Sequence, residues 1–187
     1  MHPPRPGKPN IGAWKSLVHV CQRWRNIVFG SPRRLNLQLC CTPETPARET
    51  LDIWPALPLV VWGQLKLSSN TDNVNVVAAL EKSNRVRLVH LFLLGDHQLE
   101  EVLAAMQVPF PELTGLELMS NGETMPVIPD SFLDGSAPHL RHFGLNGIPF
   151  RGLPKLLLSA PHVVELKRLR AGNWKKSRPR CRCHSLS

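Results

Sequence analysis

Four short stretches decide how this chain folds: LVHLFL (88–93), LTGLEL (113–118), LRHFGL (140–145) and VVELKR (163–168). Their central residues, Leu91, Leu116, Phe143 and Leu166, stand 25, 27 and 23 residues apart. Within each stretch apolar residues alternate with other types, which is the period of a strand buried on one side. A segment of about 20 residues then returns the chain to the next strand. No such unit can close a core alone, so the units must stack, each covering the apolar face of its neighbour.

The step falls inside the window of about 20–29 residues that leucine-rich repeats occupy. The reading is therefore an α/β chain with a leucine-rich-repeat-like curved parallel sheet and covering helices. Leu35–Leu39 and Leu57–Leu67 serve as weaker strands before the regular ones, with a possible bulge at Gly63 in the second. Asp96, Asn121 and Asn146 stand as rough equivalents of the Asn or Cys step that closes such repeats. The competing reading is an α/β domain whose leucine-rich strands are unrelated.

Between the strands, helical spacing recurs. Asp72-Asn73 can cap a helix with apolar face Val74, Val77, Ala78 and Leu80, and Leu99, Val102, Leu103 and Met106 line another over Leu99–Val108. Pro109 and Pro111 stop that one. Residues 41–51 read as a loop with at most one helical turn. Asp130–Leu133 reads as a short turn of helix, and Leu153–Ser159 as a short helix before the last strand.

Upstream lies WKSLVHVCQRWRNIVFGSPRRLNLQL (14–39). Trp14, Leu17, Val18, Cys21, Trp24 and Val28 follow one another at steps of three or four, the spacing of one helical face. Gly30 and Pro32 end the helix. Four regions result: a disordered Pro-rich start (1–12), the helix and junction (13–34), the repeat domain (35–170) and a disordered basic tail (171–187).

The formal charge of +9 is unevenly placed. Residues 1–34 carry seven Lys/Arg and no acid, and residues 167–187 carry eight and no acid, whereas the body between has eight bases and fourteen acids. A nucleic-acid-binding fold carries its positive stripe across the folded face, so two basic ends on an acidic body speak against specific nucleic-acid binding. No apolar run approaches the ~20 residues of a membrane span, and no apolar region follows the basic N-terminus as a secretory signal requires. No membrane partner is expected. Five cysteines without framework spacing fit a reducing compartment, cytoplasmic or nuclear.

The segment Trp14–Arg25 resembles the closing half of an F-box, in which a helix of the form L-x-x-V-C-x-x-W precedes the substrate domain. The continuation Ile27–Leu37 is similar to the junction in fungal, basidiomycete-type F-box-like proteins with degenerate leucine-rich repeats. The pieces LDIWPALPL (51–59), VLAAMQVPFPEL (102–113) and PDSFLDGSAPHL (129–140) look like the same group. The resemblance implies a substrate-recognition subunit of a Skp–cullin–F-box ubiquitin ligase, non-catalytic, with an unknown target protein. Leu17, Val18, Cys21, Trp24 and Arg25 are then the adaptor-binding or F-box-core residues. No Leu-Pro step and apolar helix precede Trp14, so this F-box is incomplete and residues 1–187 are expected to bind a Skp-type adaptor weakly or not at all. Trp14, Leu17, Val18 and Trp24 would instead pack on the first strand as a cap. The alternative function is a free-standing repeat scaffold that binds a protein without any ligase.

Catalytic motifs are absent: no Ser/His/Asp order, paired carboxylates, Gly-rich phosphate loop or H-E-x-x-H occurs. The chain does not read as an enzyme, and no cofactor is expected. Cys181, Cys183 and His184 offer three soft ligands where a structural zinc site wants four at other spacing, so no metal is expected. The partner face is sought among residues between the inward leucines: Val89, His90 and Phe92, then Thr114, Gly115 and Glu117, then Arg141, His142 and Gly144. His90, Phe92, Glu117, Arg141 and His142 are its candidates, a mix of aromatic, acid and base on a rigid support.

Overall fold

The computed structural model describes residues 21–30, 37–53, 56–65, 70–93, 95–120, 128–148 and 155–169. In order these form α1 (Gln22–Gly30), β1 (Leu39–Cys41), α2 (Ala47–Thr50), β2 (Leu59–Gln64), α3 (Asn70–Leu80), β3 (Val86–Leu93) and α4 (Asp96–Ala105). β4 (Gly115–Ser120), a 3-10 turn (Phe132–Gly135), β5 (His142–Asn146), α5 (Lys155–Ser159) and β6 (Glu165–Leu169) follow. The strands make one six-stranded sheet, every pair parallel, in the order β1-β2-β3-β4-β5-β6. Each strand thus pairs with its sequence neighbours alone. An α/β fold with a parallel sheet is what the alternating pattern requires.

The register corrects the repeat's phase. Leu91 stands opposite Leu118, and Val89, not Leu91, stands opposite Leu116. The aligned series is Val89, Leu116, Phe143 and Leu166. One step earlier come Val86, Leu113, Leu140 and Val163, so the first unit reads Val86-x-x-Val89-x-Leu91. Choosing Leu88 and Leu91 as its leaders slipped that unit by two residues. A slip of two preserves the strand's side for Leu91, because side chains alternate with period two. It misplaces the others: Val89, expected on the outer face, is 1% exposed, while Leu88 lies outside.

One turn opens strand after strand. The backbone N–H of Val86 donates to Ser83 O, that of Leu113 to Phe110 O, that of Leu140 to Ala137 O and that of Val163 to Ala160 O, at 3.1–3.3 Å. The next residue then joins the ladder: Thr114 N donates to Arg87 O, Arg141 N to Thr114 O and Val164 N to Arg141 O, each at 2.8 Å. In the last three turns proline follows the accepting residue (Pro111, Pro138, Pro161), where its fixed φ suits a turn and its missing N–H costs nothing.

The core lies between the sheet and its covering segments. Leu39, Cys41, Leu59, Val61, Val89, Leu91, Leu116, Leu118, Phe143 and Leu145 point into it and are at most 5% exposed. Val76, Ala79 and Leu80 of α3, Leu99, Val102 and Leu103 of α4, and Phe110, Phe132, Leu133 and Leu156 close it from the other side. Successive covering segments are tied together by Asn75 Nδ2 donating to Pro43 O (2.8 Å), Leu133 N to Met106 O (2.7 Å) and Ser159 Oγ to Gly135 O (3.0 Å). A Cβ on Gly147, whose φ is +71°, would overlap Ser120 O, so close passage of β5's exit past β4 demands glycine there.

Several expected elements shift. Of the expected strand Leu35–Leu39, Leu35 and Asn36 lie outside the described residues, and β1 begins at Leu39, with Leu37 already buried. The face of α3 is Val76, Ala78, Ala79 and Leu80, so Ala78 and Leu80 stand as expected, whereas Val74 is 48% exposed and Asp72 and Asn73 at the helix start are buried in its place. The bulge lies between Leu59 and Val60, not at Gly63, which is held instead by a close approach to Pro43. Asp96 opens α4, whereas Asn146 lies in β5 opposite Met119, so Asp96 and Asn146 are not equivalents. The Pro-rich start, the basic tail, Asn121 and the residues Trp14, Leu17 and Val18 lie outside the described residues.

Candidate interaction face

Alternation along the strands sends every second residue to the side away from the covering segments. Because the strands are parallel and in register, these residues form rows across the sheet. One row runs Val60, Leu88, Gly115, His142, Glu165; the next Trp62, His90, Glu117, Gly144; the third Gln64, Phe92, Met119, Asn146. Trp62, Leu88, His90, Phe92, Glu117 and Met119 are partly exposed and His142 is exposed, whereas Val60, Gly115, Gly144 and Asn146 are buried.

The centre of this face is polar and tied together. His90 Nε2 approaches Glu117 Oε2 at 3.4 Å across the β3–β4 pair. The His90 ring also tilts against Phe92, with centroids 4.9 Å apart. The structure thus brings His90, Phe92, Glu117 and His142 onto one face. Arg141 is not in it: it precedes β5, is exposed at the strand's entrance, and acts through its backbone in the opening turn. Thr114 occupies the matching place before β4, with its hydroxyl donating to Arg87 O at 3.0 Å.

Trp62, Leu88 and Met119 are members that the sequence reading missed. The phase slip hid Leu88, which had been counted among the inward leucines. Trp62 and Met119 had signals of their own in the alternation Val61-Trp62-Gly63 and Leu118-Met119-Ser120, once the inward residues on either side are fixed.

The N-terminal candidates stand apart. Cys21, Trp24 and Arg25 lie at or in α1, where residues 21–27 and Gly30 are all exposed. Trp24 is 48% and Ile27 50% exposed. Trp24 therefore does not cap the first strand. A tryptophan held in such a cap would be buried against Leu37 and Leu39, which are covered without it.

Cys41, in β1, shows no activation. Burial pushes the Cys41 thiol up to about 11, partly opposed by the positive charge of Arg85. A thiol so held stays protonated and is a poor nucleophile. Arg85 is engaged structurally, its Nε and Nη1 donating to the carbonyls of Leu57 (3.1 Å) and Leu51 (3.3 Å). Among the described residues no group of three or more His, Cys, Asp or Glu side chains could hold a metal; Cys181, Cys183 and His184 lie outside them. No helix among the described residues is long and apolar enough to cross a membrane.

No family model, curated protein or solved structure matches the chain.

Proposed function

We propose that this chain is a non-catalytic protein-interaction module: a curved, leucine-rich-repeat-like stack whose open sheet face receives a target protein. The observation that carries the reading is the strictly sequential parallel sheet with one face covered and the other bearing partly exposed Trp62, Leu88, Phe92 and Met119 around the His90–Glu117 pair. A stack of this kind is rigid, so its outer side chains are ordered before any partner arrives and lose little entropy on binding. The mix of aromatics with a few charges suits a protein partner better than a small metabolite, which needs a concave pocket.

The resemblance of Trp14–Arg25 to an F-box supports a more specific role, the substrate receptor of a Skp–cullin–F-box ubiquitin ligase. The exposure of Trp24 and Ile27 favours this over a capping role, since an apolar helix side left bare by its own sheet is available to another protein. Two measurements test the reading. Phe92→Ala/His142→Ala, with its melting transition retained, should lose the protein that co-purifies with the tagged wild-type chain; unchanged co-purification removes the face from the reading. Calorimetry against a purified Skp-type adaptor separates the two roles. Affinity weaker than micromolar leaves a free-standing scaffold, and submicromolar affinity establishes the ligase role.

A further inference from the structure

We infer that α1 docks on an anionic lipid surface, lying in the head-group layer with Trp24 and Ile27 turned into it. The inference stands apart from the open sheet face and gives the chain a second contact.

α1 (Gln22–Gly30) is exposed over residues 22–27. Cys21, Trp24 and Ile27 follow at steps of three, so they share one side of the helix, and Trp24 is 48% and Ile27 50% exposed. In sequence the same apolar spacing begins at Trp14. Arg23 and Arg25 precede and follow Trp24, each about 100° round the helix from it. Gln22 and Asn26, two residues away, lie on the far side, and both are uncharged. The order round α1 is therefore an apolar stripe, a cation on each flank and a neutral polar back. A helix seated in a membrane interface uses this order: guanidinium groups reach the phosphates from the edges of the buried stripe, and a tryptophan ring occupies the boundary.

Charge selects the partner. Residues 1–34 carry seven bases and no acid, and α1 has no acid in its first turn. Such a run is drawn to an anionic surface. A nucleic acid would meet the arginines but offers no layer for Trp24 and Ile27. An acidic protein groove would have to set carboxylates at two fixed positions beside an apolar floor, whereas anionic lipids diffuse to wherever the arginines stand. Lying in the interface requires neither a span of about 20 residues nor a secretory leader, the two features whose absence spoke against a membrane. The body over residues 35–166, with fourteen acids against eight bases, is repelled by the same surface, which turns α1 toward the lipid and the body away from it. Residues 167–187 also carry eight bases and no acid, and are the chain's other route to an anionic surface.

The test floats the full chain with vesicles of phosphatidylcholine containing about 30% phosphatidylserine, and with vesicles of phosphatidylcholine alone. The chain should float with the first and not the second, and should come off as salt rises from about 0.1 M to about 1 M. Trp24→Ala/Ile27→Ala and Arg23→Gln/Arg25→Gln should each weaken partitioning at least about tenfold with the melting transition retained, and Lys175→Gln/Lys176→Gln should weaken it less. Undiminished flotation of Trp24→Ala/Ile27→Ala overturns the inference, because charge alone then holds the chain. A larger loss from Lys175→Gln/Lys176→Gln than from either α1 variant also overturns it, since the contact then belongs to residues 167–187. Absence of flotation with the phosphatidylserine vesicles does the same, and if a Skp-type adaptor binds the chain at submicromolar affinity, α1 is assigned to a protein.

Discussion

The two faces of the sheet are built from the same strands by residues one position apart, and they obey different rules. On the covered face the aligned positions repeat: Val89, Leu116 and Phe143, then Leu91, Leu118 and Leu145, all at most 5% exposed. On the open face the aligned positions do not repeat at all: Leu88, Gly115 and His142, then His90, Glu117 and Gly144. Stacking requires each unit to meet the next with the same apolar surface. Nothing in stacking constrains the other side. Repetition therefore marks what holds the fold, and its loss marks where a partner's chemistry can be written.

The comparison is broken most severely by a cavity on the covered side. Phe143, 3% exposed, sits between Leu116 and the position of Leu166 in the aligned series. Phe143→Ala should cost about 3–5 kcal/mol in chemical denaturation, from lost burial and an unfilled cavity. Because the units lean only on their neighbours, part of the loss should appear as early exchange of amides in β5 and β6, before β2 and β3 open. A loss below about 1 kcal/mol would mean the last units contribute little to the stack.

Neighbouring thiols sharpen the contrast. Cys41 belongs to the covered face and is 1% exposed, while Cys40 is half-buried on the other. A thiol raised from 9.0 to about 11 in the folded chain keeps its proton where the unfolded chain has lost it. The folded state then binds more protons, so the contribution is intact below about pH 9 and erodes as pH rises from 9 to 11. Cys41→Val should remove that erosion, sparing on the order of 2 kcal/mol between the two pH values relative to the wild type. Equal alkaline loss in both proteins would place the thiol in water. Native alkylation followed by mass mapping should label Cys40 well before Cys41.

The covered face was largely legible in the sequence, and the open face only in part, for the same reason. Burial forces a period, so Leu99, Val102, Leu103 and Met106 declared their helix, and the leucines around 91, 116 and 143 declared their strands. The opening turn was also written, in Phe110-Pro111, Ala137-Pro138 and Ala160-Pro161, and passed unread because it carries no periodicity. What the sequence could not resolve was phase. Val86-x-x-Val89-x-Leu91 and Leu88-x-x-Leu91-x-Leu93 are both apolar patterns, and only pairing with β4 distinguishes them. That ambiguity put Val89 outside and Leu88 inside. Exposed residues have no such period, which is why Trp62 and Met119 escaped while His90, Phe92, Glu117 and His142 were found through the strands that carry them.

The smallest effect is the most exacting test of the contrast, because it comes one residue from the largest. His142 precedes Phe143 in β5 and is exposed, with Glu165 beside it across the pair. Its side chain faces away from the core, and its place in the ladder depends on backbone groups that alanine also has. Nor is it a capping residue or the holder of an unusual backbone angle, the other routes by which a single change becomes costly. His142→Ala should therefore shift stability by no more than about 0.5 kcal/mol at neutral pH, against several for its neighbour. A loss above about 1.5 kcal/mol would be of the size that follows from emptying a packed site, and would mean that other parts of the chain cover this face. The open face would then belong to the fold and not to a partner, and the asymmetry between the two sides of the sheet would lose its functional meaning.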